Sequence, residues 1–80
     1  MHQPDEERVT IQLTKDEAIV LFEFLGRFNE RDRDELFEDQ AEQRVLWDIE
    51  CILEKRLAEP FRADYPEIVR RARERVRDEE

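Results

Sequence analysis

Thr14, Asp39 and Asp64 are each followed three positions later by a glutamate: Glu17, Glu42 and Glu67. A cap residue just outside a helix and a glutamate reaching back from inside it can satisfy backbone N–H groups that the helix leaves unpaired. Three such pairs in 80 residues lay out a small helical domain, and a chain of this length holds one domain at most. The caps recur every 25 residues, but the segments between them share no other pattern, so the interval is not a solenoid repeat.

The first helix is predicted over Lys15 to Asn29 behind Thr14. Its apolar positions (Ala18, Ile19, Val20, Leu21, Phe22, Phe24, Leu25, Phe28) cover far more of the circumference than the roughly 100° stripe of an ordinary surface helix. Such a helix is either the centre of the core or shared with a second subunit. Gly26 marks close packing or fraying near its end. The second helix is predicted from Gln40 to Ala58, capped by Asp39 and ended by Pro60. Its main stripe reads Ala41, Val45, Ile49, Ile52 and Leu53, with Trp47, Cys51 and Ala58 on a second, narrower one. Pro60 to Ala63 reads as a turn with Phe61 folded back onto the core. The third helix follows Asp64 and admits Pro66 in its first turn, where the missing N–H is no loss. Ile68, Val69, Ala72 and Val76 face inward, opposite Arg70, Arg73 and Arg77.

Val9, Ile11 and Leu13 alternate with Thr10, Gln12 and Thr14, the period of a strand over about residues 8–13. A strand needs a neighbour, and the one internal candidate is the short segment Glu35-Leu36-Phe37-Glu38. The expected fold is therefore mainly α: a three-helix domain over residues 8–78, one short N-terminal strand, and a possible second near 35–38. Residues 1–7 read as a disordered tail.

Apolar residues make up 39% of the chain and charged residues 46%, and seven aromatics argue against disorder. The net charge of −9 resides wholly in residues 1–60, which hold 8 basic against 17 acidic side chains. That balance repels duplex DNA and anionic lipid and favours either bare solubility or a basic protein partner. No run approaches the roughly 20 apolar residues of a membrane span, and the first seven residues are unlike a secretory signal. A lone cysteine, Cys51, allows no internal disulfide and fits a reducing, cytoplasmic setting.

Catalytic chemistry is poorly provided for. There is no serine, the one histidine is His2, and a single glycine rules out a phosphate-cradling loop. Cys51 reads as a small hydrophobe more readily than as a nucleophile. Glu35, Glu38 and Glu42, and Glu50 with Glu54, have spacings that juxtapose carboxylates on helices, as hard-cation sites require. Acidic helices produce those spacings by accident, and Glu42 already has a capping role. No cofactor is expected. The arginines of the third helix alternate with Glu67, Glu74 and Asp78, the pattern of a solvated face, or else pair with the acidic 30–42 region within the chain or across a dimer.

Thr14-Lys15-Asp16-Glu17-Ala18 with Leu21-Phe22-Glu23-Phe24-Leu25, Asp39-Gln40-Ala41-Glu42-Gln43 with Leu46-Trp47, and Leu53-Glu54-Lys55 before Pro60-Phe61 together resemble small acidic bacterial proteins of unassigned function. The likeness covers residues 12–62 and implies a helix-and-cap pattern without an activity. The leading expectation is a non-enzymatic interaction module, a homodimer with Val20, Phe24, Phe28, Trp47 and Cys51 at its interface. One alternative is an immunity or antitoxin protein that neutralises a basic partner through Glu35, Glu38, Asp39 and Glu42. Another is a small metal-dependent hydrolase built on the glutamates above.

Overall fold

A computed structural model describes residues 7–31 and 34–78. Three α-helices are joined by two short 3-10 turns: α1 spans Lys15–Asn29, α2 Gln40–Arg56 and α3 Tyr65–Arg77, with turns at Asp34–Leu36 and Glu59–Phe61. The mainly helical architecture agrees with the capping pattern. The proposed tail falls largely on residues outside those described, as does His2.

The three caps form to different degrees. At α1 the box closes both ways: Thr14 Oγ1 accepts from the Glu17 N–H at 3.0 Å, and Glu17 Oε1 accepts from the Thr14 N–H at 2.9 Å. At α2, Asp39 Oδ1 accepts from the Ala41 N–H at 2.7 Å, but Glu42 reaches one residue further back, to the Glu38 N–H. Asp64 makes no capping bond. Two causes are visible. Pro66 removes one of the two N–H groups that a cap at this position could serve, and the Arg62 guanidinium takes both carboxylate oxygens at 3.0 and 3.2 Å, away from the remaining one on Glu67.

α1 is the centre. Ile19 and Leu25 are almost fully buried, and Ala18 lets a neighbouring helix approach; they form one cluster with Leu53 and Leu57 from α2 and its end, and Val69 and Ala72 from α3. α2 and α3 each pack against α1 and barely meet one another. The chain leaves the helical path at Leu57, in extended conformation, which brings its side chain into the core. Asn29 Nδ2 donates to Glu50 Oε1 at 2.7 Å, tying the end of α1 to the middle of α2. At the other end Arg75 grips Asp16 at 2.7 and 2.9 Å, and Lys15 meets Glu59 at 3.0 Å.

Several expectations are corrected. Among the described residues there is no strand. Residues 7–14 form no regular structure, and Val9, Ile11 and Leu13 stand exposed. Alternation confers β propensity, but no segment pairs with it: 34–36 curls into a 3-10 turn closed by the Phe37 N–H on the Asp34 carbonyl. The inward side of α2 is Leu46, Ile49 and Leu53, so Ala41, Val45 and Ile52 lie exposed on one edge of the predicted stripe. Phe61 is 78% exposed rather than folded onto the core. Gly26 is not required by crowding, since a Cβ there would meet only Glu50 Oε2 at an ordinary 3.8 Å.

The unequal caps predict unequal mutants. Thr14→Ala is expected to lower stability by about 1 kcal/mol, whereas Asp64→Ala loses only an exposed ion pair and stays within about 0.5 kcal/mol of the parent. Urea melts giving equal losses would contradict the assignment.

A second expectation concerns acid. Hydrogen bonds from Arg75, Lys15 and Arg62 hold Asp16, Glu59 and Asp64 below the usual carboxylate range, and Arg70 with Arg71 pulls Glu67 down to about 2. A carboxylate with a depressed folded-state pKa adds stability above its unfolded value and loses it as pH falls through the folded one. Melting temperature should therefore fall between about pH 4.5 and pH 2, and less steeply at high salt, because all these groups touch water. A flat profile across that window would show that these pairs leave the fold unaffected.

Candidate interaction surface

One side of α1 carries Val20, Phe24 and Phe28, of which Val20 also packs against the core cluster. Val20 and Phe28 are half-buried and Phe24 is 48% exposed. Phe24 stacks on Phe28 with ring centres 5.6 Å apart, and Phe28 meets Phe37 edge-on at 6.0 Å. The three rings form a row from the middle of α1 to the turn before α2. Edge and offset contacts of this kind add about 0.5–1.5 kcal/mol beyond the buried area.

Beside this row α1 and α3 enclose a mostly apolar cleft of about 350 Å³, lined by Val20, Leu21, Phe24 and Val76 with Arg27, Arg73 and Glu17. The Arg27 guanidinium lies 5.7 Å from the Phe24 ring centre, a cation–π distance that holds the arginine over the cleft. Glu17 is engaged with the Thr14 N–H. Among the described residues Arg27 and Arg73 make no ion pair, so the rim of the cleft is basic in a strongly acidic chain.

α3 separates its arginines by partner. Arg70 bridges Glu67 and Glu74, Arg71 pairs with Glu67 at 2.9 Å and Arg75 with Asp16. Arg73 faces the cleft instead. The periodicity placed it with Arg70 and Arg77, and only the position of α1 sets it apart. Tyr65, at the start of the same helix, has a buried hydroxyl with no hydrogen-bond partner. Burial, then the nearby Glu23 carboxylate, push its pKa to about 12, so it stays neutral.

The acidic candidates cluster at the other end of the aromatic row. Glu35, Glu38, Asp39 and Glu42 are all exposed, around Leu36, which is 57% exposed. Asp34, Glu38 and Asp39 line a polar hollow of about 270 Å³ with Phe37, Gln40 and Gln43. Asp39 and Glu42 are committed to backbone N–H groups, and among the described residues the carboxylates of Glu35 and Glu38 have no partner. Glu50 is not on a purely polar face but half-buried against Asn29. Among the described residues no group of three or more His, Cys, Asp or Glu side chains is placed to hold a metal ion.

Trp47 and Cys51 do not join the Val20, Phe24 and Phe28 group. Trp47 is 43% exposed and borders a shallow site with Asp39, Gln40, Ala41, Gln43 and Arg44. Cys51 is a free, exposed thiol. Both lie on the side of α2 turned from α1, because Leu46, Ile49 and Leu53 claim the inward side. Among the described residues no helix is long and apolar enough to cross a membrane. No family model, no curated protein and no solved structure matches the chain.

The exposure of Cys51 makes a direct expectation. A disulfide reagent should modify it fully in the native monomer at close to the rate of a small free thiol. Modification that needs denaturant would place the thiol under cover.

Proposed function

We propose that this chain is a non-enzymatic protein–protein interaction module that self-associates through the outer face of α1. The supporting observation is the ratio of exposed to buried apolar side chains. Among the described residues nine large hydrophobic side chains stand exposed, while seven apolar residues, two of them alanines, form the buried core. A core of that size gives a monomer little margin, and a contiguous apolar patch rimmed by charge is the usual mark of a docking site. Of the nine, Phe24 lies on α1, and the helix adds to it a stacked partner ring, an adjoining cleft and Arg27 with Arg73 of α3, residue types enriched where interfaces concentrate their energy.

A second reading, neutralisation of a basic enzyme, draws on Glu35, Glu38, Asp39 and Glu42. It is the weaker because two of these four carboxylates already serve the backbone around the start of α2. A metal-dependent hydrolase reading has less behind it, since among the described residues its glutamates do not converge. A cytoplasmic setting suits the free thiol of Cys51.

Light scattering after gel filtration tests the module. At tens of micromolar the parent chain is expected at twice 9.8 kDa, and Phe24→Ser, an exposed change that spares the core, at the monomer mass. A parent that stays monomeric at that concentration would defeat the proposal.

A further inference from the structure

The aromatic row has unlike ends. At one end lies the apolar cleft with Arg27 and Arg73 at its rim. At the other lies the turn where Leu36 projects between Glu35 and Glu38. Phe28 joins them, stacked on Phe24 toward the cleft and edge-on to Phe37 toward the turn. Each end lacks what the other offers. The cleft is apolar, with Arg27 and Arg73 free of ion pairs among the described residues; the turn presents an exposed aliphatic side chain flanked by the Glu35 and Glu38 carboxylates, unpaired among the same residues.

Two such ends, linked by one row of touching rings, make a surface complementary to itself. We propose that a second copy of this chain docks antiparallel on the Phe24–Phe28–Phe37 row. Its turn (Glu35, Leu36, Glu38) seats on the Arg27/Arg73 cleft, and its own cleft receives the turn of the first copy. A two-fold axis near Phe28 produces both contacts at once, as isologous association requires: if one patch meets the other, the reverse contact is made by symmetry. The two ends must act together, because a stable interface engages about 20–30 residues a side and neither end alone is that large. Leu36 fills an apolar cleft that is otherwise open to water, and the guanidiniums, that of Arg27 already held over the Phe24 ring, meet carboxylates that have no partner among the described residues of their own chain. The same contact assigns the net charge a part: a pair of molecules carrying −9 each repel at a distance, and only this register brings opposite charges together locally.

The proposal rests on the self-association set out above, and charge reversal separates the two. In Arg27→Glu/Arg73→Glu the cleft rim carries the sign of the turn's two free carboxylates; in Glu35→Arg/Glu38→Arg those two positions carry the sign of the cleft rim. Each variant alone should self-associate at least about tenfold more weakly than the parent in sedimentation velocity, because every contact between ends is then repulsive. Mixed in equal amounts they should form a heterodimer within about threefold of the parent affinity, since both contacts are again of opposite charge. Circular dichroism verifies that each variant is helical. Should a reversal unfold the chain, Arg27→Gln/Arg73→Gln takes its place, with the expectation that its weaker association no longer responds to salt. Variants that dimerise as the parent does, or folded variants that fail to combine when mixed, would overturn this register while leaving the module in place. A parent that is monomeric at tens of micromolar would remove both.

Discussion

Everything in this molecule hangs on α1 being gripped from two sides. Ile19 and Leu25 are the most deeply buried large side chains, and both α2 and α3 reach the core by packing on this helix rather than on each other. Burying a leucine or isoleucine contributes roughly 1.5–3 kcal/mol, and few other residues are as well covered. Polar ties reinforce the arrangement at its ends, Asn29 to Glu50 toward α2 and Asp16 to Arg75 toward α3. The exposed ion pair is worth little by itself, but it sets the register of α3 along α1.

The same arrangement explains why the surface looks as it does. Two helices that pack on a central one and scarcely on each other leave part of it thinly covered. On α1 that part holds Phe24, 48% exposed, beside the half-buried Val20 and Phe28, apolar residues that a tightly closed three-helix bundle would have covered more fully. Charge follows the packing too. Glu67, Glu74 and Asp16 take up Arg70, Arg71 and Arg75 of α3, and Arg73 is left beside Arg27 at the cleft. A basic rim in an acidic protein is thus a product of which cations the fold neutralises.

Local signals in the chain carried the helices well. Thr14 with Glu17 forms a reciprocal box because nothing nearby competes for either group. Asp64 has the same spacing to Glu67 and fails, because Arg62 and Pro66 change what its carboxylate can reach. The outward apolar surface of α1 was legible as an excess on the helical wheel. For α2 the wheel was too coarse: its apolar residues spread over so wide an arc that periodicity could not show which part would face α1. Leu46, Ile49 and Leu53 took the inside, and Val45 and Ile52 were left in water.

From the order of residues alone came the number of helices, their starts and the central role of the greasiest one, since these depend on neighbours a few positions away. Tertiary structure decided the rest. It placed Arg73 beside the Phe24 cleft, put Trp47 and Cys51 on a different surface, and curled residues 34–36 into a turn so that residues 8–13 found no strand to pair with. Those outcomes depend on which groups distant in the chain meet in space, and spacing along one helix carries no record of that.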